Sequence, residues 1–466
     1  MTNAALDPLD AFPVTRRYWA SISVFTLAGL VDFFDFFVVG FLVAVLAPQW
    51  HLTFGQTSLM LLSAGVGAML GALTGGALAD RYGRKPFAVA GVIICGCSSG
   101  LIAFIPDDGW IHFTALRFLV GFGLAFGAAA SLPAIIEFSP TRYRTLVASL
   151  INVPITLGIL AASIVAATLL PAVGWRGVAA LGFLPIILGV LTLLIMPESP
   201  RWLASRGRVR EAGVNVRKLY RITDEAFRLP APPRARPTRA VDLFAQPRRV
   251  WLTALTFFGA STAHYGVFLW GPTILATLLG VEPHAAAKMF VVVSIAGIAG
   301  RIGFSLLAQR YGRRVCGQLM GYASALMLCL AAFSTGTDIH GVPLFLICLV
   351  AGAVFFDGGF ANLVPYPAEI FPVELSGRAV GFSQFANGIG KIAGPLCLAM
   401  IAGTSNIVAP RATADAIVPA FLFLASCSLL VGLAFSLLGV ESHRKPLSLV
   451  AEDEAPSVAS IQELKV

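Results

Sequence analysis

Asp32, Asp35, Arg117, His264, Asp357 and Lys391 each sit near the middle of an apolar stretch of this 466-residue chain. An ionisable side chain in a bilayer interior is disfavoured by roughly 3 kcal/mol even on the lenient scale from insertion measurements, so a set of them implies a water-filled pathway in which charge is handled. Asp32 and Asp35 are three residues apart and therefore share a helix face, and both lie more than ten residues into their apolar run. A carboxylate withdrawn from water can pass between neutral and ionised forms within a physiological range, which suits it to carry a proton. Lys391, within Asn387-Gly-Ile-Gly-Lys391-Ile-Ala-Gly-Pro395, is too far from either end of its run to reach an interface.

The segments that must position these groups follow from composition. With 57% hydrophobic and 12% charged residues and a mean hydropathy of +0.82, the chain has more apolar surface than a soluble core can hide. About 20 apolar residues cross a hydrocarbon core of about 30 Å. Twelve such runs are predicted, over 18–46, 56–79, 87–105, 111–136, 145–170, 177–196, 250–278, 286–308, 315–334, 342–366, 377–402 and 415–438. The fold class expected is all-α integral membrane, twelve transmembrane helices in two six-helix bundles.

Orientation follows from basic residues, which stay in cytoplasmic loops. With the amino terminus inside, the cytoplasmic connections hold Arg81, Arg84, Lys85, Arg142, Arg144, Arg310, Arg313, Arg314 and the basic stretch Arg201 to Arg249, against only Arg176, Lys288 and Arg411 outside. Both termini are therefore expected in the cytoplasm of a cell whose plasma (inner) membrane holds the chain. The net charge of +9 reads as this topology bias and attraction to anionic headgroups of the lipid bilayer, with no nucleic acid partner. The first run follows Arg16 and Arg17 but is too long for a signal peptide and carries two aspartates. All seven cysteines fall inside predicted helices and read as small packing residues.

The expected organisation is a cytoplasmic N-terminus (1–17), a first bundle (18–196), a cytoplasmic linker (197–249), a second bundle (250–438) and a cytoplasmic tail (439–466). The linker opens with a helix through Glu211 to Arg221 and breaks at the proline-rich Leu229 to Pro237. The halves repeat each other: Gly71 to Lys85 reads GALTGGALADRYGRK and Gly300 to Arg314 reads GRIGFSLLAQRYGRR, in register at an offset of 229. Duplicated bundles are a common plan for transporters. Spacings such as Gly67, Gly71, Gly75 read as close helix packing.

The segment Gly76-Ala-Leu-Ala-Asp80-Arg81-Tyr-Gly83-Arg84-Lys85 resembles the loop motif of the major facilitator superfamily. Arg117 to Gly123, Pro133 to Arg144, Pro197-Glu-Ser-Pro-Arg-Trp-Leu203, and Tyr366-Pro-Ala-Glu-Ile-Phe-Pro372 to Arg378 are similar to its metabolite or organic-acid:proton symporter and sugar-porter branches, with a weaker echo at Val440-Glu-Ser-His-Arg-Lys. The resemblance implies a gate in which Asp80 meets the start of the eleventh helix near Gly377. It also implies clamps of Glu137 with Arg84 and Arg144, and of Glu369 with Arg313 and Arg378. A carboxylate at a helix carboxyl end does need a positive partner. Gln309 stands where the first half has Asp80, so the gate is expected to be asymmetric.

In proton-coupled members of that superfamily an acid in the first helix pairs with an arginine early in the fourth. Asp35, with Asp32 beside it, and Arg117 match those places, and the expected cycle is protonation of Asp35, release of Arg117 and inward reorientation with substrate bound. Lys391 matches a cation that faces an anionic substrate, unless Asp357 neutralises it internally. His264 and Tyr265 on the seventh helix would line the cavity, Asn152 aligns with a sugar-binding glutamine, and Arg301 is either a second anion contact or the partner of an acid. No cofactor is expected, the proton gradient being the energy source; the partners are a small-molecule substrate and a proton, and one chain suffices as a monomer.

The function these features imply is proton-coupled symport of a small organic anion, an aromatic or other monocarboxylate, by alternating access. A sugar or polyol porter is the alternative, against which Gly259 and Ala260 stand where sugar porters carry paired glutamines. A proton-driven exporter of hydrophobic compounds uses the same fold. A ligand sensor would need a signalling module that linker and tail do not carry, and nothing resembles an enzyme's nucleotide loop, metal cluster or nucleophilic triad.

Overall fold

The computed structural model describes residues 14–139, 156–220, 240–371, 373–402 and 410–441. In lipid every backbone polar group must find its partner within the segment, and the described chain accordingly is almost wholly helical. The first half comprises α1 (Arg16–Gln49), α2 (Phe54–Tyr82), α3 (Arg84–Leu101), α4 (Trp110–Phe138), α5 (Thr156–Thr168), α6 (Leu170–Ala180) and α7 (Leu184–Ile195), the last two joined by a 3-10 turn. Two short helices follow, α8 (Pro200–Ser205) and α9 (Val209–Tyr220). The second half comprises α10 (Pro247–Leu279), α11 (Pro283–Tyr311), α12 (Arg313–Phe333), α13 (Leu344–Phe356), α14 (Phe360–Leu363), α15 (Tyr366–Ile370), α16 (Val373–Ala402) and α17 (Pro410–Leu437). Strands among the described residues are limited to a two-stranded hairpin, Asp338–Ile339 against Val342–Pro343.

Nine spans among the described residues are long and apolar enough to cross a membrane, with α6–α7 and α13–α15 each counting as one. The shorter apolar α5, whose predicted beginning lies outside the described residues, and the long α10 and α16 bring the set to the twelve predicted. α10 and α16 are the less apolar because they carry His264, Asn387 and Lys391. The predicted linker helix is α9, and the proline-rich stretch after it lies outside the described residues.

Local sequence explains the ends and crossings. Thr53 opens α2 with a reciprocal cap, accepting from Gln56 N at 3.2 Å while Thr53 N donates to Gln56 Oε1 at 2.9 Å. Gly83 (φ 119°) and Gly312 (φ 88°) form the one-residue breaks before α3 and α12, in a region that a side chain strains. Gly67, Gly71 and Gly75 lay the bare face of α2 against the backbone of α4 at Phe118, Phe122 and Phe126, where a Cβ would collide.

The described residues form two compact units. One groups those of Met1–Arg234 with those of Phe268–Val291; the other holds those of Ala235–Val267, Val292–Ala402 and Arg411–Val466. In the first, α9 buries Val216, Leu219 and Tyr220 against Tyr18 and Ile22 of α1, and Tyr18 Oη donates to Ser139 Oγ at 3.0 Å. In the second, Phe257, Phe304, Leu363, Tyr366 and Phe435 centre the core. The tenth span is interrupted there: α13 stops at Phe356, and Asp357-Gly358-Gly359 turn before α14 begins. Broken backbone at membrane depth is tolerated where it is buried in protein or lines a cavity.

Candidate functional site

In the first unit α1, α3 and α4 bring together Asp35, Ser99 and Arg117, all at most 3% exposed. The Arg117 guanidinium donates to Asp35 Oδ2 at 3.2 Å and to the main-chain carbonyls of Asp35 at 3.0 Å and Phe36 at 3.2 Å. The other carboxylate oxygen of Asp35 accepts the Ser99 hydroxyl. Asp32 lies one turn earlier on α1, and its buried Oδ1 accepts no hydrogen bond from any described residue. One cation faces two carboxylates, so the cluster is one positive charge short when both acids are ionised. The expectation that protonation of Asp35 sets Arg117 free is modified by this geometry: two of Arg117's bonds go to carbonyl oxygens, which a proton on the side chain leaves intact.

The second unit holds the complementary cluster. Asp357, 1% exposed at the break after α13, receives Arg301 from α11 through Nη2 to Oδ1 at 2.7 Å and Nε to Oδ2 at 3.4 Å. His264 of α10 places Nδ1 3.5 Å from the same Oδ1. The imidazole is edge-on to Tyr265 and Phe360, with ring centroids 5.0 and 5.1 Å away. Lys391 of α16 holds its ammonium 5.0 Å from the centroid of the Tyr265 ring, a cation–π distance. Beside it, Ser261 donates to Asn387 Oδ1 at 2.6 Å. The carboxylate that the sequence offered as counter-ion for Lys391 is thus engaged by Arg301, and Arg301, one candidate for an anion contact, spends its charge on Asp357.

At the ends of the helices that face the loops, Arg313 clamps Glu369 through two bonds of 2.7 and 3.1 Å, and Asn362 Nδ2 donates to Arg313 O at 3.0 Å. Arg378 is exposed, and Arg81 lies over the Tyr82 ring at 5.1 Å. Arg144 and Asn152, and the side chains of Asp80 and Glu137, lie outside the described residues. No group of residues able to hold a metal ion occurs among those described.

Three participants escaped sequence reasoning. Glu198 accepts the backbone N–H groups of Arg84 at 2.9 Å and Lys85 at 3.2 Å, and so caps the positive end of α3. Glu441 does the same for α12, accepting from Arg313 N at 3.0 Å and Arg314 N at 3.2 Å. Their common signal was visible, since Glu-Ser follows the last spanning helix of each half, but not what it would touch. Ser99, one of several serines in apolar helices, had no signal at all.

The sequence matches the family model described as Major Facilitator Superfamily over residues 25–395 and 305–465. It is 25% identical over 449 residues to the niacin transporter NiaP of Acinetobacter baylyi, covering 95% of this chain and 98% of that one. It is also 25% identical over 392 residues to the 4-hydroxybenzoate transporter PcaK of Pseudomonas putida, covering 81% and 84%. Among solved structures, the inward-open xylose transporter XylE of E. coli superimposes with a TM-score of 0.71 over 93% of this chain and 99% of that chain, at 19% identity, a likeness of fold.

Proposed function

Since the chain belongs to the Major Facilitator Superfamily, we propose that this multi-pass membrane transporter carries a small aromatic monocarboxylate together with a proton, driven by the proton gradient through alternating access. The observation that carries this reading is Asp32, whose buried Oδ1 meets no donor among the described residues beside the Asp35–Arg117 pair, together with the Lys391 ammonium over the Tyr265 ring. Asp32, Asp35 and Arg117 place two acids with one cation, a shortfall that a proton makes good; the Lys391 ammonium on the Tyr265 ring offers a carboxylate a cation beside an aromatic face. Leaving the acidic cluster uncompensated away from water is costly, so it favours the proton that neutralises it.

The aromatic preference draws support from Tyr265 and Phe360, whose ring centroids lie 5.0 Å from the Lys391 ammonium and 5.9 Å from the Arg301 guanidinium, with His264 edge-on to both rings. It is also in keeping with the niacin and 4-hydroxybenzoate for which the two relatives are named, both aromatic carboxylates or their source. The reading takes the protein as a monomer in the inner membrane, and the distribution of basic residues supports both termini in the cytoplasm.

The test is uptake into proteoliposomes of radiolabelled nicotinate, 4-hydroxybenzoate and xylose, with and without an inward proton gradient. Accumulation of a carboxylate that needs the gradient is the expected result. Accumulation of xylose alone, or carboxylate uptake indifferent to the gradient, would overturn the proposal.

A further inference from the structure

Resting on that reading of proton coupling, we infer that Asp32 is the carboxyl that takes up and returns the proton, and that Ser99 is a positioning residue which keeps Asp35 ionised as the fixed counter-ion of Arg117. The two acids are one turn apart on α1 but differ in what their oxygens meet. Each oxygen of Asp35 accepts a donor, the Ser99 hydroxyl on Oδ1 and Arg117 Nη1 on Oδ2. Hydrogen bonds to the charged form hold a carboxylate in that form, and the guanidinium has no acceptor to offer a carboxylic proton. Asp32 presents a buried Oδ1 that accepts from no described residue. A buried ionised oxygen without a donor is costly, whereas the protonated group is neutral.

Arg117 strengthens the division of labour. Its bonds to the carbonyls of Asp35 and Phe36 pin it to the backbone of α1, so the Asp35–Arg117 pair persists at zero net charge through the cycle. The charge that changes is then on Asp32, beside a pair that does not move. The titratable and charged groups facing the two acids are each other on α1, Arg117 on α4 and Cys95 on α3. Neither α5 nor α7 carries a titratable side chain, α2 has them only in its last three residues, α6 has only Arg176, bonded to Asp107, and those of α9 lie beside the first turns of α1.

The proton can be located without transport. Infrared pH-difference spectra of the purified protein in lipid nanodiscs report the carbonyl stretch of a protonated carboxyl. That band is expected in the parent and in Asp35→Asn, to be lost in Asp32→Asn, and to change frequency in Asp32→Glu, a substitution that keeps the charge and hence the fold. A band lost in Asp35→Asn but kept in Asp32→Asn, or one shifted by Asp35→Glu and not by Asp32→Glu, overturns the inference. In nicotinate counterflow, Asp32→Asn should exchange at a rate independent of pH and accumulate nothing against a gradient. Ser99→Ala in the Asp32→Asn background should let Asp35 take up a proton and so restore a carbonyl band, with Ser99→Thr abolishing it again; no band in that double variant removes Ser99 from the mechanism. If the parent shows no gradient-driven accumulation, symport fails as a reading, while the infrared band still reports which carboxyl binds the proton.

Discussion

Arg301→Gln should weaken binding of an anion that Arg301 itself does not hold. In the parent the guanidinium meets Asp357 at 2.7 and 3.4 Å, with the carboxylate 1% exposed and the arginine side chain 14%. Removing the arginine leaves a buried carboxylate uncompensated, which costs about 3–5 kcal/mol of stability and lowers the melting temperature by on the order of 10 °C. An anion about 8 Å from an uncompensated carboxylate feels a repulsion of about 2 kcal/mol at an effective dielectric of about 20, or about 30-fold in affinity. Asp357→Asn in the same background removes both defects, so the double variant should regain most of the stability and bind nicotinate within about threefold of the parent. Binding to purified protein by scintillation proximity and melting by intrinsic fluorescence measure the two effects, with uncharged nicotinamide as the control whose binding neither variant should change. An Arg301→Gln protein with parental melting and nicotinate affinity, or a double variant no better than the single, would refute the role of Arg301 as the group that neutralises Asp357.

Lys391→Gln should reduce nicotinate binding by at least the same 30-fold or so while sparing nicotinamide; equal losses for both would make Lys391 a packing residue. Glu198→Ala and Glu441→Ala each remove the cap from a helix start, and each should lower stability by about 1–2 kcal/mol, visible as a lower melting temperature, with Gln at either position recovering part of it. Gly71→Leu should block assembly of α2 on α4, because its Cβ meets the backbone of Phe122; a monodisperse, ligand-binding Gly71→Leu protein on size-exclusion chromatography would show that the close approach is dispensable.

Hydropathy alone located the twelve spans, because a bilayer imposes length and apolarity on each segment independently of its neighbours. The family resemblance paired Arg313 with Glu369, and the charges Asp35, Arg117, Asp357 and Lys391 were legible because such residues are expensive at membrane depth. Which partner each charge takes was not. Asp357 could have turned to Lys391, and only the crossing of α11 with the break after α13 delivers Arg301 to it. The carbonyl bonds that tether Arg117 and the hydroxyl of Ser99 on Asp35 likewise arise from the rotation of three helices about their own axes. Span, charge and register are properties of single segments and are written along the chain. Pairing depends on interhelical distances of a few ångströms, set by how small and large side chains interlock between segments far apart in sequence, and that belongs to the tertiary structure.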